Sequence, residues 1–155
     1  MSLWSWAVEA YGRTGVAPAA LALQDDQGQC VPLLLWAAWA RPIDPDLIGR
    51  AVDLARAWEA AAILPLRTAR RGLKTPLPGA EASARETLRA RVKADELESE
   101  RLLLGALEAL GGSGGADPET ALAAVATAWG GVTDAAALGQ LTRALESMQR
   151  NGVQA

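Results

Sequence analysis

Histidine and phenylalanine are absent from this 155-residue chain, and cysteine occurs once, as Cys30. Without histidine, the usual structural zinc sets, histidine-ligated haem and every Ser/His or Cys/His catalytic pair are excluded, and one cysteine cannot close an internal disulfide. A lone cysteine suits a reducing, cytoplasmic setting. Charge excess is also scarce: fifteen basic and eighteen acidic side chains leave a net charge of −3. Residues 1–80 carry eight basic and seven acidic groups and residues 81–155 seven and eleven, so a basic surface has to be local and general nucleic-acid binding is not expected. Long apolar runs are missing too. The stretch CVPLLLWAAWA from Cys30 to Ala40 is about half of what a bilayer crossing needs, so it reads as a buried helix and predicts no membrane insertion. The start, MSLWSWAVEAYG, has an acidic residue and no basic region before its apolar residues, unlike a signal peptide.

Half of the residues are apolar, largely alanine and leucine, while the β-branched and aromatic residues that favour strands are sparse. The expected fold class is therefore all-α. A chain of this length buries roughly 70% of its unfolded surface without staples. Ser2 is placed to cap a first helix reaching about Thr14, and a second begins near Pro18 and ends in the polar turn Gln24 to Gly28. A third covers about Val31 to Ala40. Asp44 caps a fourth, with Pro45 in its first turn and Leu47, Ile48, Ala51, Leu54, Ala55, Trp58 and Ala62 on one stripe, until Pro65 breaks or kinks it. A short helix from Leu66 to Lys74 and a long one from about Glu81 to Leu110 follow. The expected organisation is a bundle of about six helices over residues 1–110, a Gly-rich linker at 111–116, flexible by composition, and a C-terminal helical hairpin at 117–150. Asp117 with Pro118 opens that hairpin, Thr133 or Asp134 caps its second helix, and Leu138, Leu141, Leu145 and Met148 stripe it. The hairpin is alanine-rich and weakly amphipathic, so looser packing is expected there, with fraying after Arg150.

One helix face stands out. Arg67, Arg70, Arg71 and Lys74 follow i, i+3, i+4 and i+7 spacing, which gathers four like charges within about 100° of arc. Such repulsion needs an offset. One reading is a binding surface for an anionic ligand or an acidic partner, since the arginine fork matches carboxylate and phosphate. The other is internal pairing. Asp25 and Asp26 fall at a helix C-terminus, where the macrodipole disfavours negative charge. The long helix has a stripe of Leu88, Val92, Leu102, Leu103, Ala106 and Leu110, with Asp95 and Ser99 in its centre and Glu96 at its edge. Buried polar groups need partners, so Asp25, Asp95 and Glu96 are the candidate partners of the arginines.

The remaining constellations have ordinary readings. Trp4, Trp6, Trp36, Trp39 and Trp58 lie at spacings of core residues, although Trp4 and Trp6 cannot share a helix face and one is expected near the surface. Glu96 and Glu100 share a helix face, but a di-iron bundle site needs Glu-x-x-His, and the adjacent Arg101 suggests surface pairing. Cys30 beside an apolar run reads as a buried small residue. GGSGG at 111–115 lacks the lysine and preceding strand of a phosphate loop. No catalytic residue, metal site or cofactor is expected.

As a set, LW.W....Y (Leu3 to Tyr11), LQDDQG (Leu23 to Gly28), LLLW..W (Leu33 to Trp39), W......PLR..RR.LK (Trp58 to Lys74) and ELE.ER (Glu96 to Arg101) resemble an uncharacterised proteobacterial family, domain of unknown function 2390, over roughly residues 1–105. The resemblance implies boundaries and a bacterial cytoplasmic setting, and it implies no mechanism. The expected function is a non-enzymatic protein-interaction module, a regulator or adaptor; the alternative is a small anionic-ligand or nucleotide-binding module using the basic face.

Overall fold

The computed structural model describes residues 1–112, 114–132 and 135–151, the side chains of 147–151 excepted. Thr133, Asp134, the side chain of Met148 and most of the stretch after Arg150 therefore lie outside the described residues. The described residues form an all-α bundle of eight α-helices and one π-helical turn.

Helix α1 (Leu3–Tyr11) starts where the Ser2 hydroxyl accepts from the Ser5 N–H at 3.2 Å. It stops at Gly12, before the Thr14 expected from the apolar pattern. Helix α2 (Val16–Gln27) begins after Gly15, at φ 90°, and closes at Gly28, at φ 63°, both in the left-handed region that glycine enters without strain. Helix α3 (Val31–Ala40) is buried at every residue except Trp39, which makes it the axis around which the others pack. Trp36, the bulkiest fully buried side chain, projects from it into the core.

Helix α4 (Pro45–Trp58) starts where the Asp44 carboxylate accepts from the Asp46 N–H at 3.0 Å. Pro65 does not end it. A π-helical turn, Glu59–Ile63, carries the chain straight into α5 (Leu64–Gly72), the Leu64 N–H donating to the Glu59 carbonyl five residues back. Proline lacks a donor and its ring collides with the carbonyl four residues earlier in an α-helix; one widened turn relieves both conflicts without breaking the rod. This matters for the site, because an extra residue in that turn sets which way Arg67 and Arg70 face.

Helix α6 (Ala82–Ala109) runs back along α5 and onto α3 and α4, and α7 (Pro118–Trp129) and α8 (Ala135–Asn151) complete the bundle. Leu122, Val125 and Ala126 of α7 and Leu138, Leu141 and Leu145 of α8 belong to the same buried cluster as Trp36, so the C-terminal hairpin shares the core. It is also pinned by polar contacts: the Trp129 indole N–H donates to the Gly28 carbonyl at 2.7 Å, and the Arg56 guanidinium sits 4.7 Å from the centre of the Trp129 ring. The glycine-rich connector is tied down as well. The Gly114 N–H donates to the Ala40 carbonyl at 2.9 Å, and Ala116 is buried.

Candidate functional site

Helix α5 lies against the outer half of α6, and the seam between them is charged rather than apolar. Arg67 is only 6% exposed. Its Nε donates to Glu96 Oε1 at 2.9 Å and its Nη2 to Glu100 Oε1 at 3.1 Å, so one guanidinium bridges two carboxylates set one helical turn apart on α6. Arg70, one turn further along α5, donates from Nε to Glu96 Oε2 and from Nη2 to Glu96 Oε1 at 3.3 Å. Glu59, from the π-helical turn, is buried close enough for Arg67 and the Cys30 thiol to act on its charge. Three carboxylates thus surround two guanidiniums.

The other half of the basic face is in water. Arg71 Nη2 donates to Asp25 Oδ1 at 2.6 Å, with about half of each side chain exposed. Lys74 is exposed and has no ion pair among the described residues. Asp95, expected among the partners, is exposed and pairs with no arginine among the described residues. The buried line of α6 passes through Glu96, Ser99 and Leu103, which turns Asp95 outward. Arg101 pairs with Glu98, at 2.6 and 2.7 Å, and not with Glu100, so the Glu96 and Glu100 pair is an internal feature rather than surface decoration. Glu59 was not expected in the cluster, and Glu100, expected with Glu96 as a surface pair beside Arg101, pairs inward with Arg67.

Desolvation and pairing divide these carboxyls. Burial pushes Glu59 above the usual carboxylate range, with Arg67 working against it. Burial likewise raises Glu100, which Arg67 opposes and Glu96 reinforces. At Glu96 burial works in the same direction, but hydrogen bonds from Arg70 and Arg67 outweigh it and hold the group low. Asp25 is held low by hydrogen bonds from Gln24 and Arg71. Burial, with Glu100 nearby, takes the Tyr11 phenol up to about 12, and burial first, then Glu59, pushes up the Cys30 thiol, which keeps it unreactive.

A pH dependence follows from these signs. A raised folded-state value means that Glu59 contributes its stabilisation in full below the unfolded value, near 4.5, and loses it as pH rises through the folded one. Glu96, held low, does the opposite: its contribution is present above the same reference and is lost as pH falls through its folded value. Glu59→Gln removes the first dependence and leaves the second. The gain in urea midpoint of Glu59→Gln over the parent is expected to be larger at about pH 8 than at about pH 5. An unchanged gain across that window would show that Glu59 does not titrate as its surroundings require.

Beside the charged seam, a cleft of about 300 Å³ opens between α1, α3 and α6, walled by Trp4, Val8, Tyr11, Leu35, Leu97 and Leu104. Glu100 is the single charged residue of its lining. Trp4 and Trp6 are both half-buried, so neither stands free on the surface; Trp4 forms part of this wall. A second, more open depression of about 480 Å³ lies on the far side of Leu97, between Leu21, Arg70, Lys93 and Glu96, and it shares Leu97 and Glu100 with the first. Val8, Leu21 and Leu97 are 55%, 48% and 53% exposed; Val8 shares the first depression with Leu97, and Leu21 shares the second with it. Among the described residues no group of three His, Cys, Asp or Glu side chains is arranged to hold a metal ion, and no helix is long and apolar enough to cross a membrane.

The fold and the site together define an all-α bundle with a buried ionic seam and an apolar cleft at its edge. The model of the family described as "Protein of unknown function (DUF2390)" matches residues 2–107, from the cap of α1 into the last turn of α6, and the chain belongs to that family. Helices α7 and α8 lie beyond the matched residues. No curated protein and no solved structure matches the chain.

Proposed function

We propose that the protein is a non-enzymatic interaction module, a cytoplasmic regulator or adaptor, whose working surface is the apolar cleft between α1 and α6. The supporting observation is Leu97, half exposed on a helix between an apolar cleft on one side and, on the other, a shallower depression that mixes Leu21 and alanines with Arg70, Lys93 and Glu96. Exposed apolar residues gathered around concave walls mark binding surfaces, whereas isolated ones need no explanation. The nearby titratable groups are occupied with one another: Arg67 and Arg70 hold Glu96 and Glu100, and Cys30 is buried against Glu59. This arrangement favours binding over chemistry.

The alternative, an anionic ligand or nucleotide on the basic face, draws on fewer charges than the spacing of that face suggests. With Arg67 and Arg70 engaged, Lys74 and the surface-paired Arg71 remain for it. The two readings separate in a photocrosslinking experiment in cells of the source organism. A photoreactive residue at Val8 is expected to give a discrete protein adduct that Leu97→Asp abolishes, and the same probe at Lys74 none. Adducts from Lys74 that survive Leu97→Asp would overturn the cleft reading in favour of the basic face.

A further inference from the structure

We infer, building on the cleft reading, that the partner is an amphipathic helix that seats apolar anchors on both sides of Leu97 and sets a lysine or arginine against Glu100. Two features of the surface carry this. The first is its extent: two depressions share the Leu97 ridge, with the exposed Val8 of α1 at one and the exposed Leu21 of α2 at the other. A small molecule fills one depression and leaves the other open. A helix presents anchors at i, i+3 or i+4, and i+7, spanning about 10 Å, and covers both.

The second feature is charge. In the seam, Glu96 and Glu100 share Arg67 and Arg70, with the buried Glu59 near Arg67. Both oxygens of Glu96 are taken by the arginines, whereas Glu100 accepts only through Oε1, leaving Oε2 without a hydrogen bond among the described residues. That oxygen belongs to the one charged residue lining the first depression. A cation arriving beside an apolar anchor meets an underused, partly desolvated carboxylate there, where an ion pair is worth more than at an open surface.

The test uses the full chain and two synthetic amphipathic helices about five turns long that differ at one position beside the apolar stripe, Lys in one and Glu in the other. Binding is read by tryptophan fluorescence and calorimetry. The Lys peptide is expected to bind about tenfold or more tightly than the Glu peptide. Glu100→Gln, checked for native near-ultraviolet circular dichroism, is expected to erase that ratio, and Leu97→Asp to remove both interactions. Because the charge swap is made in the peptide, the comparison does not depend on how Glu100→Gln folds. Equal affinities for the two peptides, both abolished by Leu97→Asp, would overturn the cation inference and leave the cleft reading standing. Binding insensitive to Leu97→Asp, or no binding of either peptide, would overturn both.

Discussion

Arg67→Ala is expected to destabilise the protein by about 3–5 kcal/mol, because it leaves carboxylates buried without their counter-charge. Among the described residues Arg67 alone bridges Glu96 and Glu100, and it also moderates Glu59. Its loss strands Glu100 and Glu59 and leaves Glu96 with Arg70 alone, and relief comes through protonation. In a chain of this size the corresponding fall in Tm is about 10 °C or more. Arg67→Lys should recover little, since a single ammonium cannot offer two fixed donors to two carboxylates. Lys74→Ala, in the turn past the end of α5, which stops at Gly72 and not at the expected Lys74, is expected to stay within about 0.5 kcal/mol of the parent. Urea denaturation of the three variants decides the matter; similar losses for Arg67→Ala and Lys74→Ala would mean that the seam contributes no more than a surface charge.

Gly114→Ala is the second large effect, and its cause is steric. A Cβ at position 114 falls 1.8 Å from the Arg41 carbonyl oxygen, 2.7 Å from the Arg41 carbonyl carbon and 2.9 Å from the Pro42 Cα. All three are backbone atoms, so no rotamer change makes room. Arg41 is itself fixed as the C-cap of α3, at φ 49°. The connector must lift away, losing the Gly114 to Ala40 hydrogen bond as well, for a combined cost of about 2–4 kcal/mol. Gly115→Ala is the control. Nothing lies within 4 Å of its Cβ position, and a near-neutral change is expected there. Equal effects at 114 and 115 would show that the connector behaves as the flexible tether its composition implies.

These two sites also mark the limit of what the sequence discloses. Helix starts were legible because a cap is a local event: Ser2, Asp44 and Asp117 each accept from a backbone N–H within the next three residues. The pairing of the basic face with Glu96 and Asp25 was legible because like charges at helical spacing demand compensation. The inward face of α6 was legible in part: Leu103 is buried and Val92, Ala106 and Leu110 are half-buried, as their spacing implies. Its apolar pattern pointed to Leu88 and Leu102, yet both are exposed, and the buried or half-buried line runs through Arg85, Arg89, Val92, Glu96, Ser99 and Leu103. A seam that buries charge inverts the hydrophobic rule on which periodicity depends. The interruption of the α-helix at Pro65 was legible, but not its form: whether the preceding turn widens into a π-helical turn is a property of packing rather than of composition. The cleft was invisible in the sequence because its walls come from three helices distant along the chain.

On the proposed function, the cleft, and not the basic face, is the surface the protein works with. The direct measurement compares native-level co-purification from the source organism for Leu97→Asp and for Arg71→Ala/Lys74→Ala, after circular dichroism shows both variants to be folded. Loss of the Val8-crosslinked partner from Leu97→Asp, with its retention by Arg71→Ala/Lys74→Ala, is the predicted result. Retention by Leu97→Asp and loss from the double variant would contradict it.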